Sequence, residues 1–119
     1  MSNSSPIDLD TLTTLLDAVG GDPEFLVELL DEFFKDAPAQ FRAMEEALSS
    51  ANAEVFRRAA HSMKSNSANF GATTLSNLFK QLEELGKNGD LDHAASVFVE
   101  AEAEYQRVKP VLETVVKEM

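Results

Sequence analysis

LDHAASVFVEAEAEYQRVKPVLETVVKEM, residues 91–119, is the stretch whose reading decides the fold class. After Leu91 its apolar positions fall at Ala94, Phe98, Ala101, Tyr105, Val108, Leu112, Val115 and Met119, in alternating steps of three and four. That spacing is one face of a long amphipathic helix, because residues three and four apart stack on the same side of a 3.6-residue turn. Asp90, following Asn88-Gly89, marks its start. Pro110 stands off the stripe, so a bend is expected there in place of a stop.

The same period recurs toward the N-terminus. Leu75, Leu78, Phe79, Leu82 and Leu85 predict a helix ending near Gly86. Leu26, Leu30, Phe33, Ala37, Phe41, Met44 and Leu48 predict another behind Asp22-Pro23, a capping residue followed by proline in the first turn, and Pro38 is expected to kink it. Leu9, Leu12, Leu16 and Val19 predict a short leading helix closed by Gly20-Gly21. No alternating pattern of the strand type competes with these.

The remaining helix, about Asn52 to Phe70 and closed by Gly71, carries the chemistry. On a wheel of about 100° per residue centred on His61, Ala59, Met63, Asn66 and Phe70 lie opposite and form the expected core side with Phe56. Arg57, Arg58, Lys64, Ser65 and Ala68 fall within about 60° of His61. The imidazole therefore projects from a face with basic flanks and small residues one and two turns onward. Glu54 shares that face but lies about 10 Å along the axis, so no carboxylate of its own helix adjoins the ring.

Composition bounds the chemistry. With 119 residues, 44% of them hydrophobic, the chain fits one domain with a single core. Residues 1–6 are expected to be an unstructured start and residues 7–119 the domain. There is no cysteine, so disulfides and thiolate zinc sites are excluded. The polar start lacks a signal segment, and no run approaches the roughly 18 apolar residues of a membrane span, so a soluble cytoplasmic protein is expected. A net charge of −11 argues against nucleic acid and anionic membranes as partners. The acids are unevenly placed, however: residues 55–82 contain none, and this window holds Arg57, Arg58, Lys64 and Lys80 as well as His61.

Such a setting suits a transient phosphoryl site. An exposed imidazole titrates near neutrality and offers a nitrogen nucleophile without prior loss of a proton. Lys64, one turn on, is placed to offset the charge of a phosphoryl group, which a carboxylate would repel. On spacing alone, a histidine on a solvated helix face remains the simpler reading.

The segment Ala59-Ala60-His61-Ser62-Met63-Lys64-Ser65-Asn66-Ser67-Ala68-Asn69-Phe70-Gly71 resembles the histidine phosphotransfer domain family, whose pattern is Ala-His-x-Leu-Lys-Gly-x-Ser-x-x-x-Gly. The likeness continues through Leu75-Ser76-Asn77-Leu78-Phe79-Lys80-Gln81-Leu82-Glu83 and takes in Asp22-Pro23-Glu24-Phe25-Leu26 and the closing helix. Met63, Ser65 and Phe79 stand where the family has leucine, glycine and cysteine. The resemblance implies an all-α, up-down-up-down four-helix bundle with an additional short N-terminal helix. It implies that His61 accepts the phosphoryl group, that Lys64 stabilises its charge, and that Gly71 forms the turn between the second and third bundle helices. Arg57, Arg58, Ser65 and Ala68 are the expected docking surface. The implied partners are response-regulator receiver domains and hybrid histidine kinases, the receiver supplying magnesium and this chain binding no cofactor. It would be a monomeric phosphoryl carrier without kinase activity of its own.

Three other classes fit less. A metal hydrolase needs several convergent ligands, and the chain has two histidines and no His-Glu-x-x-His pattern. A helical adaptor fits the composition and differs only in not needing His61. The substrate domain of a chemotaxis-type kinase would keep the histidine but take its phosphoryl group from ATP. Outside the site, His93 reads as a surface histidine beside Asp92, and Glu24, Glu28, Asp31, Glu32, Glu100, Glu102 and Glu104 as solvated faces. Gln40, Lys80, Gln81 and Lys87 could reach His61 from neighbouring helices, and spacing does not choose among them.

Overall fold

The computed structural model describes residues 6–119. The expected unstructured start therefore lies, but for Pro6, outside the described residues. Five helices follow in order: α1 (Leu9–Ala18), α2 (Pro23–Ser50), α3 (Ala53–Asn69), α4 (Thr73–Lys87) and α5 (Leu91–Lys117). Among the described residues there is no strand, and no helix is long and apolar enough to cross a membrane.

Side-chain oxygens start four of the helices. Asp8, Asp22, Asn52 and Asp90 each accept a hydrogen bond from a backbone amide of the first turn, satisfying one of the donors that a helix start leaves open. Loops of two or three residues join α2 to α3, α3 to α4 and α4 to α5, which forces neighbours to run antiparallel. Because α5 also packs on α2, the four close into the expected up-down-up-down bundle. The 28 residues of α2 rise about 42 Å, matching the 42 Å long dimension of the molecule.

Phe33, Phe41, Phe56, Phe70, Phe79, Phe98 and Tyr105 form the aromatic part of the core, with Phe41 within 5.8 Å of Phe79 and Phe98 and 5.3 Å from Tyr105. Pro38 and Pro110 are exposed and neither ends its helix, since lost backbone bonds on a solvent face can be met by water.

Helix α1 packs on α2 and α3 near the α3–α4 turn. Ile7 and Leu12, at the positions flanking the Asp8 cap, are both buried as a hydrophobic staple. Leu9, expected on the buried stripe, is instead 56% exposed, because the staple and not the first helical residue meets the core. The Asp8 amide donates to the Gly71 carbonyl at 2.7 Å. Gly71 has φ +75°, and a Cβ there would lie 2.5 Å from the Asp8 carbonyl oxygen, so the turn needs glycine for conformation and for space.

Three further expectations are corrected. In α5 the buried stripe shifts to Val116, with Val115 half-buried and Met119 exposed, as a 3.5-residue repeat drifts on a 3.6-residue helix. Glu104 is buried and pairs with Arg107 at 3.5 Å instead of lying on a solvated face. Glu102 is half-buried, and burial together with the facing Glu45 pushes its carboxyl above the usual range.

Candidate functional site

The buried side of α3 comprises Phe56, Ala59, Ala60, Met63 and Ser67. Asn66, expected among them, is only half-buried. The core face is thus turned toward the side of Ala60 and Ser67, and two contacts with α4 explain the turn. At Gly86 a Cβ would sit 3.2 Å from the Arg57 backbone, so glycine permits the helices to approach closely. Further along, the Ser76 hydroxyl donates to the Lys64 carbonyl at 3.1 Å.

This close pairing builds the site. His61 projects outward, its side chain 56% exposed as the wheel predicts. Its Nδ1 lies 2.7 Å from Oε2 of Glu83, on α4. The other oxygen of the same carboxylate, Oε1, takes the Lys64 ammonium at 2.6 Å. The Glu83 side chain is only 17% exposed. Hydrogen bonding from Lys64 chiefly, and from His61, holds its carboxyl below the usual range against the opposing effect of burial. Glu83 is therefore an anion that can only accept. Nδ1 must carry the proton of that contact, so in the neutral ring Nε2 keeps the lone pair. Among the described residues Nε2 has no hydrogen-bond partner.

No carboxylate of α3 pairs with the ring, but one from α4 does, so the acid-free window does not keep His61 from carboxylates. Glu54 and Glu83 are the two acids that bound the acid-free window, and both fold back onto its cations. Glu54 meets Arg57 at 2.8 Å and Arg58 at 3.4 Å, and those guanidiniums hold its carboxyl below the usual range. Only Lys80 of the four window cations forms no ion pair among the described residues. The sequence window is acid-free, but the surface it makes is charge-balanced, because side chains pair across turns and between helices.

Other expected residues fall as follows. Ser65 and Ala68 are exposed on the His61 side of α3. Arg58 is exposed and lines a groove with Gln40, Ala43, Val55, Ala59 and Ser62 between α2 and α3. Lys80 and Lys87 line a groove of about 320 Å³ with Arg57, Lys64, Glu83 and Glu84 between α3 and α4. Glu83 was the residue missed, and a signal for it existed. His61 lies ten residues before Gly71 and Glu83 eleven after Ala72, so two antiparallel helices joined by that turn must bring them level.

Comparison with known proteins gives the site its context. The Hpt domain family matches residues 28–110, well over half of the chain and including α3 and α4. A solved structure similar over nearly its whole length is the crystal structure of histidine-containing phosphotransfer protein B (HptB) from Pseudomonas aeruginosa PAO1. The two are 28% identical with a TM-score of 0.85, over 98% of this chain and 99% of that one. No curated protein matches. The all-helical bundle, the motif around His61 and the family match agree: this chain belongs to the Hpt family of histidine phosphotransfer domains.

Proposed function

We propose that His61 is the residue that accepts and donates the phosphoryl group, through Nε2, relaying it between receiver-domain aspartates in two-component signalling. The observation that carries this reading is the exposed imidazole held through Nδ1 by Glu83, which directs the free lone pair of the other nitrogen away from that contact. In the accepting step Nε2 attacks phosphorus, the bond from phosphorus to the aspartyl oxygen breaks, and its electron pair returns to the carboxylate. The proton on Nδ1 stays in place. Lys64 shares Glu83 with the ring, which keeps a cation beside the nucleophile to offset phosphoryl charge.

The receiver would supply the acid-rich pocket and its magnesium, and this chain would contribute no cofactor and no kinase activity of its own. Its partners are receiver domains and the hybrid histidine kinases that carry them. Docking is assigned to the face around His61: Ser65 and Ala68 let a partner approach the helix, while Arg57 and Arg58 meet its acids. Their present pairs with Glu54 are exposed and screened by solvent, so an incoming carboxylate can exchange for them. The strongly acidic remainder of the surface disfavours nucleic acid and anionic membranes. We place the protein in the cytoplasm as a monomeric carrier.

The test is to mix the protein with phosphorylated receiver domains and follow the label. Acid-labile, alkali-stable label should appear on the wild type and be absent from His61→Gln at unchanged helicity. Label retained by the variant would overturn the assignment.

A further inference from the structure

We infer that the Ser65 hydroxyl is a catalytic hydrogen-bond donor in this chain, bonding an oxygen of the phosphoryl group that Nε2 of His61 carries. The inference rests on His61 being the acceptor, and it gives a role to the residue that stands where the family pattern has glycine.

The two sides of His61 are told apart by their neighbours. Viewed down α3 at about 100° per residue, Lys64 stands about 60° to one side of His61 and Ser65 about 40° to the other. Each side faces a different helix. Lys64 and Arg57 line the groove shared with α4, whereas Arg58 and Ser62, on the side of Ser65, line the groove shared with α2. Glu83 reaches the ring from α4 and takes Nδ1 at 2.7 Å. In an imidazole Nδ1 and Cε1 share one edge and Cδ2 and Nε2 the other. With Nδ1 tied toward α4, Nε2 is on the edge turned toward α2, the side on which Ser65 stands.

The direction and freedom of the hydroxyl fit this placement. Helical side chains lean toward the N-terminus of their own helix, so the exposed Ser65 leans back over the turn that carries His61. Thr13, Thr14 and Ser50 donate their hydroxyls to the carbonyl four residues before, at 2.9, 3.0 and 2.8 Å. The Ser65 hydroxyl has no hydrogen-bond partner among the described residues. Lys64, by contrast, is held on the α4 side by Oε1 of Glu83 at 2.6 Å. Phosphoryl oxygens that face α2 therefore meet Ser65, with Arg58 one turn before the histidine drawn toward Glu54 at 3.4 Å.

A hydroxyl suits transfer in both directions. While one bond to phosphorus forms and the other breaks, negative charge stays on the three non-bridging oxygens, and a donor aimed at them stabilises it. No proton leaves Ser65. The side chain is also small enough to leave the approach to Nε2 open.

Ser65→Ala removes the donor, and Ser65→Thr keeps it on a larger side chain. Alanine is the better helix former, so at this exposed position the first variant keeps the fold. Each protein is labelled with phosphoramidate, a donor that needs no docking: Nε2 attacks phosphorus, the phosphorus–nitrogen bond of the donor breaks, and ammonia leaves with the electron pair. Phosphorus NMR should show labelling about three- to tenfold slower in Ser65→Ala than in wild type, and within about twofold of wild type in Ser65→Thr.

The phosphorus shift also titrates the phosphoryl oxygens of the labelled protein. Loss of the donor should raise their pKa in Ser65→Ala by about 0.3 to 0.5 of a unit, and threonine should restore it. Lys64 and Arg58 are present in all three proteins, so the difference reports the hydroxyl. A serine that only makes room for a partner moves neither reading: wild-type labelling and an unshifted titration in Ser65→Ala overturn the inference. A Ser65→Thr variant as slow as Ser65→Ala overturns it as well. A wild type that acquires no phosphohistidine instead removes the assignment of His61, and this inference with it.

Discussion

The two histidines of this chain sit in settings that look alike from the sequence and differ in space. Both occupy exposed helix faces and both have a carboxylate at Nδ1. For His93 the acid is Asp90, three residues back, 3.6 Å away and half in solvent. For His61 it is Glu83, twenty-two residues on, 2.7 Å away, largely buried and braced by Lys64. A local carboxylate at a helix start is also the cap of that helix, since Asp90 accepts from the His93 amide at 3.2 Å, and it has little left with which to orient an imidazole. A carboxylate from a neighbouring helix can be given over to the ring. The comparison teaches that an exposed histidine becomes a defined nucleophile through the helix packed beside it.

The largest effect expected from breaking this comparison is its plainest form. His61→Gln should abolish labelling by a phosphorylated receiver and by phosphoramidate, whereas His93→Gln should change neither, and equal loss from both would erase the distinction. Next comes the face around each ring. Ala68→Trp should lower transfer from a receiver by roughly a hundredfold, the size of effect that misplacing reacting atoms by about 1 Å produces, while phosphoramidate still labels His61. Equal loss with both donors would show that the substitution disturbs the histidine itself.

Removing the shared cation is expected to act more weakly. Lys64→Ala should slow receiver-dependent transfer on the order of tenfold in stopped-flow or label-chase measurements, because the lysine offsets charge without bonding to phosphorus. An unchanged rate would remove it from the mechanism.

The helix contact itself can be opened with Gly86→Leu. Leucine is the better helix former, yet overpacking against the Arg57 backbone should cost roughly 1–3 kcal/mol in urea unfolding. The same variant should loosen the hydrogen bond from His61 to Glu83 in nitrogen NMR and leave His93 unaffected; a more stable variant would mean that the helices are not in tight contact. The smallest change belongs to the local pair. Asp90→Ala should lose about 1 kcal/mol of stability as a lost cap with phosphotransfer unaltered, and a fall in transfer would tie α5 to the site.

What the residues determined alone was everything that repeats at helical spacing or sits next to its partner in the chain. Five helices, three of their polar starts, the glycine turn at Gly71 and the outward aim of His61 follow from periods and neighbours within a few positions, and these are local properties of the backbone. The same logic placed Lys64, Ser65 and Ala68 on the histidine's side of α3. It could not show that Leu9 would be left outside by the staple of Ile7 and Leu12, or that Glu104 would be buried, because burial depends on which element arrives from elsewhere. Above all it presented residues 55–82 as a stretch that avoids carboxylates, when the two acids at its borders close over its cations. Their placement was decided by how near α4 can come to α3 at Gly86 and by the register of an antiparallel pair about one turn. Distance through space is set there by packing, and side-chain charge follows distance through space, not position along the chain.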